Sequence, residues 1–288
     1  MVDVNTILTI ILYGATFGGV LALISSGFTL IFGVSRILNF SHGAFFMMGA
    51  YIGIFIMQQL NLEPITSTIL SILAVGLFSL IAYYVIIYPV IKNEVMTIIV
   101  TLALALIIEQ VILLTYGEFG LSYPRMISGT LSIAGVTIPI LRLVILFISI
   151  ATIGALWLFI ERTRLGKEIN AASQDAEGAI LIGIDVNKIF AVTIFISAIL
   201  AALSGTLYSQ MYAANPFQIL NSLILAFAIV ILGGLGSVKG SIISSFIIGF
   251  IYIGTTTLLG ARWSEFIALA IIIVILIIKP TGLYGVEE

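Results

Sequence analysis

Residues 263–279 read Trp-Ser-Glu-Phe-Ile-Ala-Leu-Ala-Ile-Ile-Ile-Val-Ile-Leu-Ile-Ile-Lys. From Phe266 to Ile278 no side chain is polar. A half-buried strand alternates apolar and polar residues, and this run does not. It predicts a helix surrounded by apolar material on every side, with a length close to the roughly 20 residues that cross a bilayer. The same texture recurs along the chain and predicts further spans at about 6–32, 43–60, 65–91, 95–116, 140–160, 188–212, 219–235 and 241–259. The seventh is short, and it or the start of the first is a candidate re-entrant segment. The expectation is therefore an all-α polytopic integral membrane protein with about nine, eight to ten, transmembrane helices.

Composition agrees. The 288 residues are 61% apolar and 8% charged, with a mean hydropathy of +1.29. Soluble domains carry about 25% charged residues, and a soluble globule of this size lacks the polar residues to cover such a core. Disorder needs the opposite composition. The net charge of −2 offers no basic field for nucleic acid. There is no cysteine, and His42 is the only histidine. These exclude disulfides, thiolate metal sites and thiol nucleophiles, and no catalytic or metal site is expected.

The chain reads as a single transmembrane domain over 1–288 with one charged interruption. Residues 161–187 hold Glu161, Arg162, Arg164, Lys167, Glu168, Asp175, Glu177 and Asp185. Within this loop Ile169, Ala172, Ala176 and Ala179 fall at helical spacing, which predicts a short helix with one apolar face, through 167–172 and then 176–182, closing on Gly183. A surface helix and a docking helix for a partner are both compatible with that pattern. Lys and Arg divide eight to three between alternate loops, with 161–187 on the richer side. The positive-inside rule then expects that loop and the C-terminus in the cytoplasm of a multi-pass cell-membrane protein. No phosphate-binding Gly-x-x-x-x-Gly-Lys-Ser/Thr loop occurs.

Several residues stand out. Gly14-x-x-x-Gly18, Gly49-x-x-x-Gly53 and Gly236-x-x-x-Gly240 have the spacing of close helix contacts. Asn39, Ser41 and His42 form a polar break between apolar runs, and such a break lines a cavity when it lies at membrane depth. Glu109 lies deep in the fourth span, where an ionisable group is costly and marks a candidate site. A second break, Gly233-Gly234-Leu235-Gly236-Ser237-Val238-Lys239-Gly240, predicts a hinge, a re-entrant tip or a hairpin. Asn215-Pro216 stops the sixth span, and Pro280-Thr281-Gly282 stops the ninth.

Taken together, these motifs resemble the permease subunits of branched-chain amino acid ABC importers, closest to the first of the two permeases in such systems. Asn39-Phe40-Ser41-His42-Gly43 resembles the family's Asn-Phe-Ala-His-Gly, with Ser41 in place of Ala. The loop resembles the family at Arg164, Gly166, Ala171, Ala172, Asp175 and Gly183. Asn215, Pro216, Gly233, Gly234, Gly236, Gly240 and Pro280-Thr281-Gly282 follow in order. Segment 117–139 carries no such match.

The resemblance implies an ABC importer permease fold. It also implies a second related permease, two cytoplasmic P-loop ATPases using ATP and magnesium, and an extracytoplasmic solute-binding protein. The chain itself would carry no cofactor and would not be an enzyme. Loop 161–187 would couple to an ATPase, and Asn39, Ser41, His42 and Glu109 are candidates for the solute path. Import of urea or short amides by the same architecture, and a stand-alone channel or secondary transporter, are the alternatives.

Overall fold

A computed structural model describes residues 3–133 and 136–285. Its helices are α1 (Val4–Ser35), α2 (Ser41–Leu60), α3 (Pro64–Ala82), α4 (Glu94–Tyr116), α5 (Ile140–Arg162), α6 (Arg164–Gln174), α7 (Ala176–Leu181), α8 (Val186–Met211), α9 (Gln218–Gly233), α10 (Val238–Leu259) and α11 (Ala261–Ile278). After α3 the chain continues through a π turn at Tyr83–Ile87 and a 3-10 turn at Tyr88–Val90. Pro89 accounts for this change. It lacks an N–H, and its ring clashes with the carbonyl four residues earlier, so a regular helix cannot pass through it. Segment 117–139, which lies between the predicted fourth and fifth spans, contains two strands, β1 (Thr130–Ile133) and β2 (Val136–Pro139), paired antiparallel.

Eight helices, counting the π and 3-10 turns with α3, are long and apolar enough to cross a membrane; α9, at 16 residues, falls short by length alone. Its ends nevertheless lie on opposite faces of the bundle. Just before α9, Ala214 bridges Leu121 of the 117–139 segment. Just after it, Gly236 lies against Gly33 at the end of α1, where α6 also packs. At 1.5 Å per residue α9 spans about 24 Å, most of a hydrocarbon core of about 30 Å. Nine crossings result among the described residues, as the hydropathy pattern predicts. α6 and α7 lie on the face where α1 ends, the loop face of the bundle.

The core is built around α8, which lies against α1, α2 and α3. Glycine makes these contacts close. A Cβ at Gly205 would overlap the Phe46 carbonyl oxygen, and one at Gly49 would overlap the Ala202 backbone, so α2 and α8 touch main chain to main chain. Gly14 and Gly18 of α1 give the same closeness to Phe250, Phe246 and Gly249 of α10. On the face opposite the loops, Tyr123 reaches between α2 and α3 and meets the Thr68 hydroxyl at 2.8 Å. Burial raises the pKa of this phenol, and the Thr68 bond opposes the shift.

Candidate functional site

The polar break between α1 and α2 folds back into the membrane. Arg36 ends α1 in the left-handed region, φ 56, and its N–H donates to the Phe32 carbonyl at 2.8 Å. The next residues turn inward. The Phe40 N–H donates to Thr101 Oγ1 at 3.2 Å. Asn39 Oδ1 accepts from the Ser41 N–H at 3.1 Å and the Ser41 hydroxyl at 2.6 Å, which occupies part of the open amino end of α2.

His42 then meets the middle of α1. Its Nε2 lies 2.8 Å from the Ile24 carbonyl oxygen, which only accepts, so Nε2 carries the hydrogen. Its Nδ1 lies 3.0 Å from Ser197 Oγ of α8, and that hydroxyl also reaches the Gly27 carbonyl at 2.8 Å. Ile24 is eleven residues back from the end of α1, about 16 Å along the axis, or roughly half the hydrocarbon thickness. The start of α2 is therefore at mid-membrane depth.

These bonds separate the roles of the three polar residues. Ser41 and His42 are fully buried, and His42 ties the α2 start to α1 and α8. Gly27 makes room for the ring, since a Cβ there would stand 2.9 Å from His42 Cε1. Asn39 is different. It lines a cavity with Thr97, Thr101 and Thr193, and its buried Nδ2 has no partner. On the other side of the break, Leu38 and Phe40 line an apolar groove with Phe28, Leu223, Ile224 and Phe227.

Glu109 lies apart from this cluster. It is two turns beyond Thr101 along α4, about 12 Å away. Its Oε2 is buried without a partner, and Gln110 beside it faces outward among exposed Leu106, Ile107, Val111 and Leu114. The structure thus brings Asn39, Ser41 and His42 together and leaves Glu109 on a separate face.

Loop 161–187 is folded. Three side chains begin its helices in turn: Thr163 accepts from Gly166 N at 3.0 Å, Asp175 from Gly178 N at 3.0 Å and Asp185 from Lys188 N at 3.2 Å. The apolar face forms at Ile169, Ala172 and Ala179, which are buried with Val34 of α1 and Ile189 of α8; Ala171 and Ala176 are half-buried. Gly166 packs directly on the carbonyls of Phe159 and Ile160, which sets the α5–α6 elbow. Arg164 pairs with Glu168 at 3.0 Å in the open. Gly183, at φ +87, closes α7, and its N–H donates to the Ile180 carbonyl. At this end Ile180, Leu181 and Ile182 are 59%, 87% and 75% exposed. Residue spacing does not reveal this apolar tip; the signal for it is three aliphatic residues in an otherwise charged loop.

The second break is a hairpin at the loop face. Gly234 and Gly236 have φ +99 and +84, and Ser237 begins α10 by accepting from Gly240 N at 3.1 Å. The close pair is Gly233 against Gly240, whereas a Cβ at Gly236 would meet only Gly33 Cα, at 3.9 Å, so the Gly236-x-x-x-Gly240 spacing is not a close helix contact. The C-terminal segment finishes α9: Leu283 N and Tyr284 N donate to the Leu232 and Gly233 carbonyls at 2.7 and 3.0 Å. On the far side Asn215 Oδ1 accepts from Phe217 N at 3.0 Å, which leads the chain through Pro216 into α9.

The profile of a family described as branched-chain amino acid transport system, permease component, matches residues 10–276. The high-affinity branched-chain amino acid transport permease LivH of Escherichia coli K12 is 27% identical, over 96% of this chain and 94% of that protein. BraD of Pseudomonas aeruginosa, of the same description, is 28% identical with the same coverage. The ribose import permease RbsC of Escherichia coli K12 is 28% identical over 57% of this chain and 48% of its own. Among solved structures, PsaBC from Streptococcus pneumoniae in complex with Fab superposes with a TM-score of 0.53 at 16% identity, covering 98% of this chain and 94% of that one, a likeness of fold. With the match running almost end to end, the chain belongs to the branched-chain amino acid transport permease family, as a membrane transport subunit and not an enzyme.

Proposed function

We propose that this chain is half of the membrane pathway of an ABC importer, that it moves branched-chain amino acids inward, and that α6 and α7 dock on an ATPase. The observation that carries the reading is the exposed tip Ile180-Leu181-Ile182 on a folded, charged loop. Exposed aliphatic residues in such a place mark a contact surface. The chain has no phosphate-binding motif of its own, so uphill transport needs ATP and magnesium to act on partner subunits. In this reading the loop face is cytoplasmic. A solute-binding protein delivers cargo to the other face, and a second permease completes the path.

The cargo is an aliphatic side chain on a zwitterionic backbone. The groove of Leu38, Phe40, Phe28, Leu223, Ile224 and Phe227 suits the side chain. The polar break offers the buried, unpartnered Asn39 Nδ2 to the charged end, as polar interruptions do in other transporters. Asn39 would act at the path, with Ser41 and His42 holding it in place. Transport would proceed by alternating access, the ATPases closing on ATP and pushing α6–α7.

The test is co-purification and uptake. The unaltered chain, tagged, is expected to bring down P-loop ATPases and a second permease, and I180D/L181D is expected to release the ATPases. Labelled leucine should enter cells in a chain-dependent way, with isoleucine and valine competing and urea or ribose not. Purification of the chain alone, or competition only by urea or ribose, would overturn the assembly or the cargo respectively.

A further inference from the structure

Arg36 sits where a glycine is ordinarily favoured. It follows the last turn of α1 with φ 56, a region in which a Cβ is strained. If the position only ended α1, glycine would do so with less strain. The arginine side chain is engaged elsewhere. Its Nη2 donates to the Ser173 carbonyl at 3.3 Å. That carbonyl belongs to the last turn of α6, where carbonyls lack helical partners and a cation is favoured.

Two residues earlier, Val34 is buried with Ile169 and Ala172 of α6, Ala179 of α7 and Ile189 of α8. The last turn of α1 and the α6–α7 unit are therefore one packed body. Immediately after Arg36, Ile37 to Phe40 enter the membrane and reach Thr101 and, through His42, the middle of α1. Arg36 is thus one residue from the docking unit by hydrogen bond and one residue from the break by chain.

We propose that Arg36 is a positioning residue that transmits movement of the α6–α7 unit to the re-entrant segment. The inference rests on the ATPase-docking role of α6–α7 given above. Its specific content is that α6 and the end of α1 move together during transport.

The sequence contains no cysteine, which makes a direct test available. A Cβ built at Gly33 lies 4.0 Å from the Ser173 Cβ, within the disulfide range of about 3.5–4.5 Å, and finds room there. The complete complex, with ATPases and binding protein, is placed in vesicles, and leucine uptake and ATP hydrolysis are measured together. R36G should keep its thermal stability and its ATP hydrolysis, while leucine moved per ATP falls about fivefold to tenfold. R36K should retain part of the coupling. Adding G33C and S173C to R36G should restore coupling when oxidised and lose it on reduction.

Unchanged leucine per ATP in R36G, or failure of the disulfide to rescue it, would overturn the proposal. So would a block of uptake when the disulfide is formed with Arg36 intact, since the two surfaces would then have to slide. If R36G does not fold, R36K and the disulfide with Arg36 intact still decide the matter. Failure of the docking reading is distinguishable, because the unaltered chain would then bind no ATPase.

Discussion

The two breaks in this bundle, at 33–43 and 233–240, look alike as sequence. Each joins two long apolar runs through glycine, serine and a basic residue. One enters the membrane and the other stays at its surface. The difference lies in where each finds partners for its open backbone groups. The first carries Asn39, Ser41 and His42, which bond among themselves and to carbonyls of helices already in the core. A polar segment is tolerated at membrane depth only with such partners. The second uses glycines at positive φ to reverse direction at once, and borrows the N–H groups of Leu283 and Tyr284 to close α9. A break goes inward when its side chains find partners on helices of the core, and it turns back when its partners lie within the turn and at the surface.

The largest expected effect is at the glycine contact that lets the first break lie so deep. Gly205→Leu places a side chain through the Phe46 carbonyl oxygen and forces α2 off α8. Overpacking at a main-chain contact of this kind costs about 3 kcal/mol or more. The measurement is the yield of monodisperse protein in detergent, which should collapse. The same change at Gly254, where the nearest atom is 3.8 Å away, should be tolerated. Equal tolerance at both sites would mean that α2 is not held by this contact.

Next is the tie at His42. His42→Leu removes the donor to the Ile24 carbonyl and the partner of Ser197, with an expected loss of about 1–3 kcal/mol of stability. Ser197→Ala touches the same network, so the double variant should cost less than the two single losses together, by about 0.5 kcal/mol or more. Additive losses would show that the two side chains act independently.

At the surface break the effects are smaller. Gly282 has φ +76, and a Cβ there would stand 2.5 Å from the Ile231 carbonyl oxygen. Gly282→Val should free the C-terminal segment from α9 at a cost of about 1–2 kcal/mol. Hydrogen exchange at Leu283 and Tyr284 should rise, with exchange in α2 unchanged. A rise in α2 as well would join the two breaks into one cooperative unit.

Much of this architecture is legible in residue order. All nine crossings follow from apolar runs, including α9, whose 16 residues still read as a distinct run between Asn215-Pro216 and Gly233-Gly234. The helical character of the 161–187 loop is legible because it is local: Ile169, Ala172, Ala176 and Ala179 repeat at helical spacing and Gly183 ends the run, although the structure divides the expected single helix into two at Asp175. What cannot be read is set by distant partners. The depth of His42 depends on Ile24 and Ser197, far away in the chain. The contact of Arg36 with Ser173, and that of the α9 end with Leu283, likewise join residues far apart in the chain. The β-hairpin at 130–139 has a mixed apolar pattern too short to separate from loop. Glu109 is legible as an anomaly of composition, but its separation from the break follows only from the packing of α4 on α2.

Glu109 gives the smallest expected effect in the isolated chain, and for that reason it divides the molecule most cleanly. Its Oε2 has no partner within the chain, so Glu109→Gln removes no bond and should change stability by less than about 0.5 kcal/mol. Yet a carboxyl and the neighbouring Gln110 are poor groups to turn toward lipid. On the reading proposed here they face water in the path or the second permease. The expected result is therefore a split. The purified chain should denature at the same temperature as the unaltered one, while leucine uptake by the assembled complex falls. His42→Leu should give the reverse order, with the isolated chain affected first. Loss of stability in isolated Glu109→Gln would reveal an internal role for the carboxyl. Unchanged uptake in the complex would remove Glu109 from the path and leave the break at Asn39 as the sole polar contact for the solute.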